Sequence, residues 1–154
     1  MIKIDKNIDD VLFILKNLRK EDLLELKALF GEDWHTKTLK SIQNVDYMIL
    51  LGKDNNANIV PIAVGGFSDL KQEKAKIACA WLISSVFIKF NKKLLFKAIQ
   101  EQIKIASKQY QMLCNYIFAS NFEAKKWLQN MGFIFQEKNK DNFEFFYKIT
   151  ERRN

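Results

Sequence analysis

Apolar positions fall along this chain in short blocks, and the spacing inside each block predicts what it forms. The run Val11–Leu15, flanked by Asp10 and Lys16 and carried on to Asn17, is rich in β-branched and aromatic residues and predicts a first strand over 11–17. Leu23, Leu26, Leu29 and Phe30 share one helical face over 21–30, and Gly31 stops that helix. Asp33 is placed to cap a second short helix over 34–43. Tyr47–Leu51 and Ile59–Phe67 predict a hairpin across the turn residues Asp54-Asn55-Asn56-Ala57-Asn58. Pro61 lacks an N–H for a ladder, which predicts a strand end or an edge at that point.

Lys76–Ser85 is the next strand and a strongly apolar one. Asn91 opens a long helix to about Gln109, with Leu95, Ala98, Ile99, Ile103 and Ala106 along one stripe and Lys93, Lys97, Lys104 and Lys108 on the other face. Met112–Ala119 is a strand. Asn121 caps a helix over 122–131 that turns Ala124, Trp127, Leu128 and Met131 inward, and Gly132 ends it. Phe133–Gln136 and Phe143–Ile149 close the chain as a hairpin across Asn139-Lys140-Asp141-Asn142. The expected order is β-α-α-β-β-β-α-β-α-β-β: an α/β (α+β) chain with a mixed central sheet of about seven strands and helices on both faces. The strand–helix–strand unit inside it requires a crossover, which is right-handed in almost all folds. No linker or repeat divides the chain, so residues 1–154 are expected to form a single domain.

Composition sharpens this picture. At 48% hydrophobic and with 13 Phe, the chain can bury a substantial core. The formal net charge of +7 favours anionic partners, but the lysines are dispersed, with one short basic pair at Arg152–Arg153. No aromatic–basic recognition motif or zinc pattern accompanies the charge, which argues against nucleic acid as the partner. Cys79 and Cys114 lie in apolar runs and form neither a disulfide framework nor a metal site. Val11–Leu15 is too short for a signal peptide or a membrane span, so a cytoplasmic, reducing location is expected, with no metal.

One arrangement carries more than composition. Asn121-x-x-Ala124 followed by Met131-Gly132-Phe133, together with the element order, resembles the GNAT superfamily of acetyl-CoA-dependent acyltransferases. Ala80-Trp81-Leu82-Ile83-Ser84-Ser85, Cys114-Asn115-Tyr116 and Trp127-Leu128 are similar, more narrowly, to the small GNAT-like proteins of short-tailed bacteriophages, which are often labelled internal virion proteins. The resemblance covers roughly residues 10–136.

The resemblance implies a GNAT-like fold in which the fourth strand splays from the fifth, here the strands ending near Ser85 and Ala119, so that the cofactor's arm adds to a strand edge. The start of the following helix would hold the pyrophosphate, implicating Ser84, Ser85, Lys89, Lys92 and Lys93, with Asn121 on the next helix. Acyltransferases of this kind usually carry glycines there, and Ser85–Leu94 contains none. The tyrosine that commonly protonates the leaving thiolate falls, counting from Asn121, on Leu128. Tyr116 is the stand-in acid, Glu73 (with Asp69 beside it) the stand-in base, and His35, the only histidine, borders the acceptor groove in such a fold.

Three functions follow as expectations. The first is acetyl-CoA-dependent N-acetyl transfer to an amine or protein acceptor, with a degenerate cofactor loop and weak or absent activity. The second is a non-catalytic scaffold for a virion or host protein. The third, nucleic-acid binding, rests on charge alone.

Overall fold

The computed structural model describes residues 1–4, 7–140 and 142–150; Asp141 of the last turn and the pair Arg152–Arg153 lie outside the described residues. In chain order the elements are β1 (Ile2–Lys3), α1 (Ile8–Lys16), α2 (Lys20–Phe30), α3 (Trp34–Gln43), β2 (Met48–Lys53), β3 (Ile59–Asp69), β4 (Ile77–Ser84), α4 (Lys92–Ala106), β5 (Met112–Phe118), α5 (Phe122–Asn130), β6 (Ile134–Lys140) and β7 (Phe143–Ile149). Short 3-10 turns, Gly31–Asp33 and Val86–Phe90, precede α3 and α4. The strands form one mixed sheet in the order β1-β2-β3-β4-β5-β7-β6. Its parallel pair is β4–β5, bridged in sequence by α4.

The expected first strand over 11–17 is instead the helix α1. Asn7 caps it, accepting from Asp9 N at 3.0 Å, while Asp9 and Asp10 sit in the first turn and Lys16 in the last. Val11, Ile14 and Leu15 are buried at helical spacing, whereas Leu12 is exposed. The apolar run satisfied both periodicities, and the cap and its charges decided between them. The strand at the sheet's edge is the short β1, paired antiparallel with β2.

Pro61 is not at a strand end. It lies inside β3, where the register with β2 jumps from Leu50↔Ala63 to Leu51↔Pro61 and leaves Ile62 as the extra residue. This bulge is what admits a proline to an interior strand. The expected turn at 54–58 is present, with Asp54 Oδ1 accepting from Asn56 N and Asn58 N and Ala57 at positive φ.

The chain resolves into two compact units, Met1–Gly66 with Trp81–Ala98, and Phe67–Ala80 with Ile99–Asn154. The first is built on Val11, Ile14, Leu15, Ile42, Tyr47, Ile49 and Val64, with Trp81 and Ile83 packed against them. In the second, Leu113, Ile117, Phe133 and Phe146 are buried, and the Phe133 and Phe146 rings meet edge-on at 5.4 Å. There α5 ends in a Schellman motif: Gly132 sits at φ 91°, Phe133 N donates to Leu128 O and Gly132 N to Gln129 O, both at 3.0 Å.

Asp33 and Asn121 occupy the residues before α3 and α5, but neither side chain makes a capping hydrogen bond. Their backbones, at ψ 21° and ψ 68°, fall short of the extended conformation that turns a capping side chain back onto the first turn.

Candidate functional site

The candidate site lies along β4. Its ladder with β5 runs through Ile77↔Met112, Ala78↔Leu113 and Cys79↔Cys114, and the strand then continues to Ser84. One residue past the last rung, the Asn115 side chain takes over, donating from Nδ2 to Ala80 O at 2.9 Å. Beyond that, β4 passes close to Gly65 of β3. A Cβ on Gly65 would lie 2.6 Å from Trp81 O, a backbone distance that only glycine permits. Gly66 likewise lies under the Trp81 indole, whose Nε1 is buried without a hydrogen-bond partner among the described residues.

At its C-terminal end β4 is held from both sides. Ser85 N donates to Ile62 O of β3 at 2.8 Å, so Ser84 faces the opposite edge. There the connection between α1 and α2 lies alongside as a short antiparallel strap. Arg19 N donates to Ser84 O at 3.0 Å, Val86 N donates to Asn17 O at 2.8 Å, and Leu18 bridges Ser85. Asp22, 6% exposed on the first turn of α2, accepts from Ser84 N through Oδ2 at 3.1 Å. Arg19 Nε stands 3.4 Å from the same oxygen and 3.6 Å from Glu21. Burial raises the Asp22 carboxyl to about 6, and Arg19 and the Ser84 N–H offset only part of that rise.

The stretch leading into α4 contains a 3-10 turn where glycines were absent. Ser85 Oγ accepts from Phe87 N at 3.3 Å and donates to Pro61 O at 3.4 Å. Asn91, buried before the first turn of α4, donates from Nδ2 to Lys53 O and Phe87 O and accepts from Lys53 N. A Cβ on Gly52 would strike this side chain at 2.6 Å, which explains a glycine inside β2. Asn91 therefore ties the helix start to β2, with both of its Nδ2 hydrogens committed.

Of the residues singled out from sequence, Ser84, Ser85, Lys89, Lys92 and Lys93 follow one another from the end of β4 to the first turn of α4. Ser84 and Ser85 are buried; Lys89, Lys92 and Lys93 are exposed, Lys89 above the Phe90 ring at 5.1 Å. His35 is exposed on α3, edge-on to Trp34. In the second unit, Glu73 is exposed in the loop before β4, Tyr116 is 53% exposed on β5 beside Phe145, and Asn121 is buried at the start of α5. Leu128, where a tyrosine acid would stand, is half-buried on α5.

Sequence reasoning missed Arg19, Asp22, Asn91 and Asn115 as the residues that shape the β4 edge. The two cysteines occupy the last rung of the β4–β5 ladder, and burial pushes the Cys79 thiol up to about 11 and raises Cys114 as well. They are poor nucleophiles there. Among the described residues no cluster of His, Cys, Asp and Glu can hold a metal ion, and no helix is long and apolar enough to cross a membrane.

No family model matches the chain, and no curated protein sequence matches it. Solved structures do. A GNAT-family acetyltransferase from Streptococcus agalactiae is 14% identical, with a TM-score of 0.65 over 99% of this chain and 96% of that one. A phosphinothricin acetyltransferase from Sinorhizobium meliloti, solved with AcCoA, is 13% identical, with a TM-score of 0.62 over 99% and 89%. The ribosomal-protein-S5-alanine acetyltransferase from Vibrio fischeri is 14% identical, with a TM-score of 0.61 over 97% and 92%. At this identity the likeness is one of fold, and with its mixed seven-stranded sheet the chain has the GNAT fold.

Proposed function

We propose that this protein binds an acyl-CoA along the β4 edge and transfers the acyl group slowly to an amine. The observation that carries the proposal is that the ladder of β4 with β5 ends at Cys79 and yet β4 runs on to Ser84, close against Gly65, with Leu82 between the occupied positions Ala80 and Ser84 on that edge. A main chain in that state accepts an amide-bearing arm as an added strand. The exposed Lys92 and Lys93 on the first turn of α4, with Lys89 before it, supply positive charge at a helix N-terminus, which suits a pyrophosphate.

The cofactor would supply a thioester whose carbonyl carbon an amine nitrogen attacks, with a C–N bond formed, the C–S bond broken and a proton required by the departing sulfur. We assign that proton to the hydroxyl of Tyr116, because Leu128 has none to give. Glu73 is assigned to receive the proton lost by the amine, and His35 is the alternative acceptor.

One observation favours a second reading. With Leu128 at the usual acid position and no glycine between Ser85 and Leu94, the scaffold suits a non-catalytic virion or host-interaction role of the kind the phage resemblance implies.

Titration calorimetry with acetyl-CoA, followed by transfer of labelled acetyl to a panel of amines, separates the two. Saturable binding with a Tm that rises with ligand concentration is expected, together with transfer that Tyr116→Phe reduces at least tenfold. Absence of any thermal shift at millimolar acetyl-CoA overturns the proposal.

A further inference from the structure

Resting on that reading, we infer that the Asn17–Arg19 strap is an intrinsic gate on the cofactor edge: it fills the place on β4 that the cofactor's arm would take, and it must move for the arm to seat. Hydrogen-bond parity along β4 fixes which groups face this edge. Residues of β4 that face away from β3 alternate, so Ala80, Leu82 and Ser84 lie along one edge. Ala80 O is taken by Asn115 Nδ2. Ser84 O and Val86 N are taken by Arg19 N and Asn17 O, and Ser84 N by Asp22. Leu82, 39% exposed, is the position left between them.

A pantetheine arm carries two amides in series. Edge groups repeat every second residue, about 6.6 Å apart. Leu82 can pair with one amide; the next rung towards α4 is Ser84, and there the strap already makes the bonds. The strap thus competes with the arm for the same donors and acceptors, rather than merely lying near it. One antiparallel bridge and the Asp22 carboxyl hold it to the edge, and the Leu18 side chain packs against the core of the same unit. Arg19 divides its guanidinium between Asp22 and Glu21. A short connection between two helices can open locally, exposing Leu18, while the buried residues of α1 and β2 stay packed.

The bridge itself supplies the test. Leu18 and Ser85 form a non-hydrogen-bonded antiparallel pair, because the bonds are made by Arg19 with Ser84 and by Val86 with Asn17. In such pairs the side chains approach most closely, the geometry that a disulfide needs. A double variant, Leu18→Cys with Ser85→Cys, can be locked by oxidation and released by reductant in one and the same protein. Cys79 and Cys114 are raised thiols and stay out of the exchange.

Acetyl-CoA affinity is measured by calorimetry in both redox states, with intact fold checked by circular dichroism. The oxidised form is expected to bind at least tenfold more weakly than the reduced form. Arg19→Pro provides the opposite perturbation. It removes the N–H that Ser84 O uses, while the observed φ of −58° already suits proline, and it is expected to tighten binding at least threefold over the wild type. Equal affinity in the oxidised and reduced states, with binding intact, overturns the gate and leaves the acyl-CoA reading standing. No binding by the reduced double variant, Arg19→Pro or the wild type overturns both.

Discussion

Asp22 offers the sharpest test of the packing at the end of β4. Its carboxyl is buried, accepts from Ser84 N and has a shared arginine as its cationic neighbour, so burial outweighs attraction and the group titrates at about 6 instead of its ordinary 3.8. The folded state thus holds a proton that the unfolded chain has released between these values. Stability from this group is full below about 3.8 and is lost as pH rises through about 6; the shift corresponds to about 3 kcal/mol. Asp22→Asn keeps an oxygen for Ser84 N and cannot ionise. Urea unfolding of wild type and variant, taken in parallel from pH 4 to pH 8, cancels every other titrating group in the difference. Relative to the variant, the wild type should lose about 2.5 kcal/mol across that window. A flat difference, or a wild type that gains on the variant as pH rises, would show that Arg19 holds the carboxylate ionised and that the desolvation argument fails.

Other perturbations probe the same edge and its supports. Gly65→Ala places a Cβ 2.6 Å from Trp81 O, and the resulting overpacking should cost about 1–3 kcal/mol, read as a fall in Tm. Gly132→Ala forces a side chain into φ 91° at the end of α5 and should cost about 1 kcal/mol in chemical denaturation, while Gly31→Ala, at φ 75° with open space around it, should cost a similar amount from backbone strain alone. Asn91→Ala leaves Lys53 N–H and C=O without their side-chain partner and should cost about 2 kcal/mol or more, with hydrogen exchange accelerated at Lys53. Alkylation of Cys79 and Cys114 by iodoacetamide at neutral pH should be negligible in the native protein and rapid once urea unfolds it.

The strands β2 to β7 were legible because apolar runs stand between turn residues, and α4 and α5 because their apolar stripes recur at helical spacing; the two-residue β1 is too short to show a pattern. Leu95, Ala98, Ile103 and Ala106 are buried as that spacing requires. The first element was misread because five consecutive apolar residues fit either period; the deciding marks, Asn7 followed by Asp9 and Asp10, lie just before the run. The β4 edge was not legible for a different reason. Its strap is made of main-chain groups of Asn17 and Arg19, which no side-chain pattern advertises. Asp22 reads as a common first-turn acid until the fold buries it. Asn91 and Asn115 read as a cap and a strand polar residue, yet each spans to a neighbouring strand.

The missing glycines and the strap are two sides of one construction. A phosphate-cradling loop needs small residues and unspent N–H groups. Here the corresponding segment is packed inward: Ile88 is buried and the Phe87 ring stacks on Phe13 of α1 at 6.0 Å. Its N–H groups are also committed, Ser85 to Ile62, Val86 to Asn17, Phe87 to Ser85 Oγ and Ile88 to Ser85 O. Glycine at these positions would forfeit the packing of Phe87 and Ile88 and the Ser85 cap. On the proposed acyl-CoA reading, an anion at this corner would draw on the first turn of α4 and its lysines rather than on a loop. Phosphate affinity at such a site rests on charge more than on geometry, so acetyl-CoA binding should weaken steeply with added salt. A salt-insensitive affinity would place the phosphates somewhere other than α4.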